Sequence, residues 1–174
     1  DWTHGVYIGA TMGSEMTAAA AGGAGQVRRD PMAMLPFCGY NMGDYFAHWL
    51  AMGQRGDRAK LPKIFGVNWF RRGTDGSFLW PGFGDNLRVL SWMLDRCTGT
   101  AHAQDTPIGF LPRSEDLDTR GLEIKADTLK ELLSVKSEAW RKEVVEIREY
   151  LAEFGSRTPG ALYTELQRVQ DRLN

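Results

Sequence analysis

The residues whose types and spacing could do chemistry lie in NWFRRGTDGSFLWPGFGDN, positions 68–86. A flat purine ring can be held by stacking between aromatic faces and read at its edge by an amide or by backbone groups. Phe70, Phe78 and Phe83 could supply the faces. Asn86 carries both a donor and acceptors, which suits the edge of a guanine. The stretch therefore allows a purine site as one hypothesis.

The same stretch has a more ordinary interpretation. Dense aromatic side chains form a core more often than a ligand site, and glycines commonly serve as turns. Gly82 and Gly84 fit both interpretations, because a residue without a side chain either turns the chain or lets the backbone approach a ring. The residues alone favour an ordinary hydrophobic cluster.

Other familiar patterns of catalysis are missing from the sequence, which has no GxxxxGK[ST], HExxH, GxSxG or paired CxxC. His4, His48 and His102 lie far apart without neighbours at metal-ligand spacing, so we expect structural or solvent-facing roles. Cys38 and Cys97 occur in apolar patterns, which predicts buried, unreactive thiols. No metal site is predicted.

Length and composition narrow the class of protein. The 174 residues fit one domain, and 21 basic against 22 acidic residues predict no binding to nucleic acid or anionic membrane. No apolar run approaches the roughly 18 residues of a membrane helix. Two cysteines are too few for a disulfide framework, so a reduced, cytoplasmic location is expected.

A hairpin and a helix are predicted to position the aromatic segment. Residues 63–71 predict a strand, and the D-G pair of GTDG predicts a turn into a second strand at SFLW. Asp85 is expected to cap a helix that ends near Gly99. The apolar face of that helix, expected to join the core, comprises Leu87, Leu90, Leu94 and Cys97.

Upstream and downstream elements follow from similar patterns. Residues 5–11 predict a buried strand and residues 41–53 a helix. Residues 100–106 are predicted as a polar loop before a short strand at PIGFLP. The run 16–26, MTAAAAGGAGQ, is either a disordered connection or a mobile lid, and the residues alone favour the connection.

The chain becomes charged and helical in pattern after residue 113. A helix is predicted at 128–135 with Asp127 as its cap, and two later helices should pack by apolar stripes. The predicted class is α/β, of the mixed α+β type, with a mixed sheet, flanking helices and a helical segment at 114–174 packed on residues 1–113. The stripes comprise Trp140, Val144, Ile147, Leu151, Phe154, Leu162, Leu166, Val169 and Leu173.

Long runs of the sequence resemble one enzyme family. Four runs closely resemble the carboxy-terminal part of GTP-dependent phosphoenolpyruvate carboxykinases, and the chain is similar to actinobacterial members of that family. The runs are GATMGSEMTAAA, DPMAMLPFCGYNMGDYFAHWL, KLPKIFGVNWFRR and FLWPGFGDNLRVLSWM. The resemblance runs with few gaps from Asp1 to about Pro112 and continues more loosely to the end. It implies part of that family's nucleotide-binding domain.

The resemblance implies a reaction. Such enzymes convert oxaloacetate and GTP to phosphoenolpyruvate, GDP and CO2 in gluconeogenesis, and they use two divalent ions, typically Mn²⁺ and Mg²⁺. The family's phosphate loop, metal ligands and oxaloacetate-binding arginines precede the region that this chain resembles. We therefore expect no catalytic or metal-binding residue in the chain and no turnover from it alone.

The resemblance also implies a guanine site within residues 1–113. In the family, three phenylalanines and an asparagine hold the base, and Asn86 would select guanine over adenine. The matching residues are Phe70, Phe78, Phe83 and Asn86, with Trp69, Pro81 and Gly82 beside them.

A lid that closes over the substrates and excludes water matches about residues 16–26. Vertebrate members carry an arginine and an acidic residue where this chain has Gly13 and Ala21, so a charge-paired latch is not expected. The residues matched to the lid are Met16, Thr17, Ala18, Ala21, Gly22, Gly23 and Gly25.

Three hypotheses follow. In the first, the chain is the guanine-binding portion of a carboxykinase, with the upstream remainder of the same protein as its partner. In the second it is a non-catalytic purine-binding module, and in the third it is a structural domain. Because the sequence starts at Asp1 just before an apolar run, we expect a piece of a longer chain. Alone, it is expected to aggregate or stay partly molten because apolar faces are bare.

Overall fold

The computed structural model describes residues 1–15 and 27–174, which form two compact units. The first unit comprises Asp1–Gly66 and Ser137–Asn174, and the second comprises Val67–Lys136. Helices and small antiparallel sheets together confirm the predicted class. The predicted functional division at residue 113 stays a prediction.

Among the described residues, the first unit contains four α-helices: α1 (Trp2–Thr11), α2 (Met42–Met52), α5 (Ser137–Ala152) and α6 (Gly160–Leu173). Helix α1 contacts both α2 and α6, and α5 packs along α6. Side chains from all four helices meet in one apolar core, where Val6, Phe46, Leu151 and Leu166 are fully buried.

The predicted strand at residues 5–11 is wrong, because this segment is helix α1. The carboxylate of Asp1 accepts a hydrogen bond from the backbone N–H of His4 at 2.9 Å, which starts the helix. Val6 and Ala10, four residues apart, are completely buried on one side. Tertiary packing thus overrides the strand preference of a short run rich in β-branched and aromatic residues.

The helix predicted at 41–53 is confirmed as α2, and the side chain of Asn41 caps it by accepting from Gly43 N–H at 2.8 Å. The two late helices are confirmed as α5 and α6. Most of their predicted stripe is buried, whereas Trp140 and Phe154 at its start and middle are half-buried. The buried stripe residues are Val144, Ile147, Leu151, Leu162, Leu166, Val169 and Leu173.

The described strands pair as two separate two-stranded antiparallel sheets, smaller than the mixed sheet expected. In the first unit, β1 (Gly13–Glu15) pairs with β2 (Val27–Arg29). In the second unit, β3 (Gln104–Thr106) pairs with β4 (Gly109–Leu111), which confirms the strand at PIGFLP. The loop predicted at 100–106 is wrong at its end, because residues 104–106 join this hairpin.

Two helices, α3 (Asn86–Thr98) and α4 (Ala126–Leu132), complete the second unit. Gly99 ends α3 in the left-handed region at φ 80°, as predicted. Asp85 precedes α3 but its side chain makes no capping bond. Helix α4 starts after Lys125, so the predicted start at residue 128 with Asp127 as the cap is wrong.

Candidate functional site

The aromatic segment folds around a tight turn in the second unit. Gly73 N–H donates to the carbonyl of Ser77 at 2.9 Å, and one isolated antiparallel bridge joins Arg72 to Phe78. Gly76 takes φ 80° within the turn, a conformation that favours glycine. The predicted hairpin is therefore reduced to its turn and one bridge, and the strand predicted at 63–71 is wrong. The carbonyl of Arg71 also accepts from the N–H of Leu79 at 2.9 Å, whereas residues 63–70 belong to none of the described strands.

The turn brings Phe70 and Phe78 together on its two arms. Their ring centroids lie 6.0 Å apart with the planes at 63°, an edge-to-face contact. Phe70 remains 62% exposed and Phe78 remains 49% exposed. The guanidinium of Arg72 lies 4.1 Å from the Phe78 ring centroid, so a cation–π contact covers one face of that ring.

Phe83 stands out among the described apolar side chains because 90% of it is exposed. It opens a short 3₁₀ turn, Phe83–Asp85, that directly precedes α3. Gly82 before it has φ 150° and ψ −176°, which a residue with a side chain rarely adopts. Apart from each glycine and its two neighbours in sequence, no atom of the described residues lies within 4 Å of the position that a Cβ of Gly82 or Gly84 would take. Space is therefore open beside this backbone.

Asn86 is the first residue of α3 and contacts the buried side of the segment. The indole Nε1 of Trp80 donates to Asn86 Oδ1 at 2.8 Å. Trp80 is only 5% exposed, and its ring is 6.0 Å from that of Trp69. The ordinary core interpretation thus holds for Trp80, but it does not hold for the three exposed phenylalanines.

The structure therefore places the seven predicted site residues on one short stretch of the second unit, with two facing phenylalanines, a third beside the helix start, and Asn86 hydrogen-bonded to Trp80. Pro81 and Gly82 connect the buried indole to the exposed Phe83. Binding of a base by this stretch stays a prediction.

Arg71 is a positioning residue that the sequence did not reveal. Its Nη1 donates to the carbonyls of Leu132 and Ser134 at 2.8 and 3.0 Å, and its Nη2 reaches Ser134 Oγ at 3.2 Å. These carbonyls lie at the end of α4, where the last turn lacks intrahelical partners. Arg71 therefore ties the segment that carries Phe70 to α4, 61 residues later in the chain.

Two nearby carboxylates are held ionised by local partners. Hydrogen bonds from the hydroxyl and N–H of Ser77 lower the pKa of Asp75 within the turn. Hydrogen bonds from Arg120 lower the pKa of Asp118, whose backbone carbonyl also accepts from Arg88 at 2.7 Å. Because both partners are neighbours in sequence, these shifts indicate turn formation rather than catalysis.

The predicted burial of the two thiols is wrong. Cys97 is exposed, and Cys38 is half-buried with its Sγ 3.4 Å from the carbonyl of Tyr40. The histidine prediction holds, since His48 and His102 are exposed and His4 Nδ1 lies 2.6 Å from Glu165. Within residues 1–15 and 27–174, no group of three His, Cys, Asp or Glu side chains is arranged to hold a metal ion.

The predicted lid residues, Met16 to Gln26, lie outside the described residues, so the lid stays a prediction. The structure does describe what flanks them, because Glu15 pairs with Val27 at the end of the β1–β2 ladder. Arg29 fixes that ladder by donating to the carbonyl of Thr11 at 2.9 Å. Among the described helices, none has the length and apolar content needed to cross a membrane.

Comparison with known proteins identifies relatives. The family profile described as "Phosphoenolpyruvate carboxykinase C-terminal P-loop domain" matches residues 1–172. Proteins named phosphoenolpyruvate carboxykinase [GTP] from Renibacterium salmoninarum, Treponema pallidum (strain Nichols) and Neocallimastix frontalis are 53%, 51% and 51% identical to the chain. The matches cover 99–100% of this chain but 28% of each relative. The resemblance inferred from the sequence runs is thereby confirmed.

Proposed function

Because the chain belongs to the family of GTP-dependent phosphoenolpyruvate carboxykinases, we propose that it provides the guanine-recognition part of such an enzyme. The whole protein would convert oxaloacetate and GTP to phosphoenolpyruvate, GDP and CO2. The chain spans 28% of the length of the curated relatives, so we assign base recognition to it and turnover to the whole protein.

The single observation that carries this proposal is the exposure of three phenylalanines on the stretch of chain that ends at Asn86. Each exposed ring leaves apolar area in water, and several exposed aromatic rings on one short stretch of chain are typical of a ligand or partner surface. Phe70 and Phe78 already meet edge to face, and Phe83 stands free at the start of α3. A purine bound here would gain stacking area on these exposed rings.

Asn86 would give the site its preference for guanine. Because the Trp80 indole N–H occupies Oδ1, the amide is oriented and its NH₂ group is left to donate. Guanine presents the acceptor O6 where adenine presents an NH₂ donor. A donor facing a donor leaves both unpaired, which costs about 1–3 kcal/mol and disfavours adenine.

The divalent ions do not fit the described part of this chain, which offers no ligand cluster for them. Family membership implies that divalent metal, here proposed as Mn²⁺ and Mg²⁺, neutralises phosphate charge in the whole enzyme. The roles proposed for the residues of this chain therefore do not involve the ions. The lid matched to residues 16–26 is proposed to close over the bound substrates.

A chimera tests the proposal. In the Renibacterium salmoninarum relative, this chain would replace the 28% that it matches. The rate of phosphoenolpyruvate formation with GTP as the substrate would be compared with the rate with ATP. We expect turnover with GTP, little with ATP, and about a tenfold lower kcat/KM for GTP in Phe83→Ala and Asn86→Ala. Phe110→Ala removes another exposed phenylalanine of the same unit and should change little. Equal use of GTP and ATP would contradict the proposal.

A further inference from the structure

Helix α3 has an apolar stripe that faces solvent. Leu87, Leu90, Leu94 and Cys97 follow one another at intervals of three, four and three residues, which aligns them on one side of the helix. All four are exposed, with 71% of Leu87 and 67% of Leu94 accessible. The core position predicted for these residues is therefore wrong within this chain. We name these four residues the α3 seam.

The opposite side of α3 makes the contacts with the rest of the second unit. Arg88 donates to Asp85 at 3.0 Å and to the carbonyl of Asp118. Trp92 is buried and donates to the carbonyl of His102, and Arg96 donates to the carbonyl of Ala101 at 2.8 Å. The helix is thus anchored through the side that carries Arg88, Trp92 and Arg96, while its exposed leucines lie on the other side.

This arrangement is the reverse of an ordinary surface helix, which buries its apolar stripe and exposes its charges. Burying a leucine side chain is favourable, so three exposed leucines on one side of a helix leave a large stabilising contribution unused. A contiguous apolar patch of this kind marks an interaction surface. Its heptad-like spacing suits a facing helix or the apolar face of a sheet.

We infer that the α3 seam is covered by the part of a carboxykinase polypeptide that lies outside the region matched by this chain. The relatives carry more than two thirds of their length outside that region, while almost every residue of this chain has a counterpart in them. The seam contains no charged residue, so its cover is apolar rather than a nucleic acid or a charged peptide. The inference concerns an interface and does not depend on guanine binding.

Thiol labelling tests this inference because Cys97 lies within the seam and Cys38 lies in the other unit. The chain alone and the chimera would be treated with N-ethylmaleimide, and labelling of each cysteine would be followed by peptide mass spectrometry. We expect Cys97 to react at least about tenfold more slowly in the chimera, since a covered thiol is inaccessible. Cys38 should react at similar rates in both and serves as the internal control.

Equal labelling of Cys97 in the two proteins would overturn the inference. A discrete dimer of the chain alone, with Cys97 protected, would overturn it in favour of a second copy as the cover. A chimera that aggregates while the relative itself is monomeric would also count against it, because the seam would then not fit the proposed cover.

A substitution test provides a second readout that does not involve cysteine. Replacing Leu87, Leu90 and Leu94 together by Gln should leave the helix content of the chain unchanged, since none of them is buried there. In the chimera the same triple change should lower the melting temperature by several degrees. Val145→Gln removes an exposed apolar side chain of α5 outside the seam and is the control. A triple variant as stable as the parent chimera would overturn the inference.

Discussion

The indole N–H of Trp80, a buried residue, donates a 2.8 Å hydrogen bond to the side-chain oxygen of Asn86 at the start of α3. This bond joins the core of the second unit to the residue proposed to read the base. It fixes which end of the amide is occupied by the protein and which end is available to a ligand. The selectivity of the site should therefore depend on a residue that does not itself contact the base.

Trp80→Phe tests this dependence. The substitution keeps an aromatic ring but removes the donor, so the Asn86 amide could rotate and offer its oxygen to adenine. We expect the preference of the chimera for GDP over ADP to fall about fivefold to thirtyfold, which corresponds to one hydrogen bond of about 1–2 kcal/mol. Calorimetric titration with the two nucleotides would measure it. The control is Trp92→Phe, which removes a buried indole N–H elsewhere in the unit and should leave the preference for GDP intact. An unchanged preference in Trp80→Phe would refute the proposed role of Trp80 in orienting Asn86.

Arg71→Lys tests the tie between the aromatic segment and α4. Lysine keeps the charge but cannot reach two carbonyls and a hydroxyl with a planar fork. We expect a loss of about 1–3 kcal/mol in the free energy of unfolding, and weaker GDP binding because Phe70 is less well fixed. Arg120→Lys alters an exposed guanidinium paired with Asp118 and is the matched control. Equal effects of the two substitutions would show that the tie has no special role.

Glu165 predicts a pH dependence in the first unit. Burial raises the pKa of this carboxyl, but hydrogen bonds from His4 and Arg168 more than offset it and hold the pKa at about 2, below the ordinary 4.5. A lowered pKa means that the ionised form stabilises the fold above pH 4.5, and that this contribution is lost as the pH falls from 4.5 through about 2.

The test of this pH dependence is Glu165→Gln, compared by chemical unfolding of the chimera between pH 7 and pH 3. At pH 7 the variant should be less stable by about 1–3 kcal/mol, and the difference from the parent should shrink towards pH 3. Glu138→Gln replaces an exposed carboxylate on α5 and should cause little change. A difference that stays constant with pH would contradict the assignment.

Gly43→Ala probes a close approach between α2 and the turn before α6. A Cβ at this position would lie 2.5 Å from the carbonyl oxygen of Arg157, a backbone atom that cannot move aside easily. We expect the substitution to cost about 1–3 kcal/mol through overpacking, although alanine is otherwise the better helix former. Gly39→Ala is the control because, its sequence neighbours aside, no described atom lies within 4 Å of its Cβ position. A lower melting temperature for Gly43→Ala alone would agree with the close approach, whereas equal values would argue against it.

Long periodic patterns allowed the terminal helices to be predicted, because α5 and α6 are both long and bury their stripes against each other. Short apolar runs were less informative. The run that became α1 has the composition of a strand, and only its packing made it helical. The period of α3 showed that one face requires a cover, but a period cannot say whether the cover lies in the same chain.

The candidate site was predictable only in part. The phenylalanines and Asn86 stand out by type and spacing, and the family resemblance directed attention to them. Arg71 could not be found in this way, since its partners are about 60 residues away and are backbone carbonyls, which leave no mark in the sequence. The role of Trp80 was missed because a tryptophan within an aromatic cluster gives no indication of where its N–H points.

Tryptophan fluorescence during titration with GDP and, separately, ADP tests the guanine site most directly, since Trp69 and Trp80 lie within the aromatic segment. The titration would use the chain and the chimera. The account predicts a saturable change with GDP and none with ADP in the chimera, lost in Phe83→Ala and in Asn86→Ala, with weaker GDP binding by the chain alone. The same response to GDP and ADP, or no response of the folded chimera to either, would contradict it.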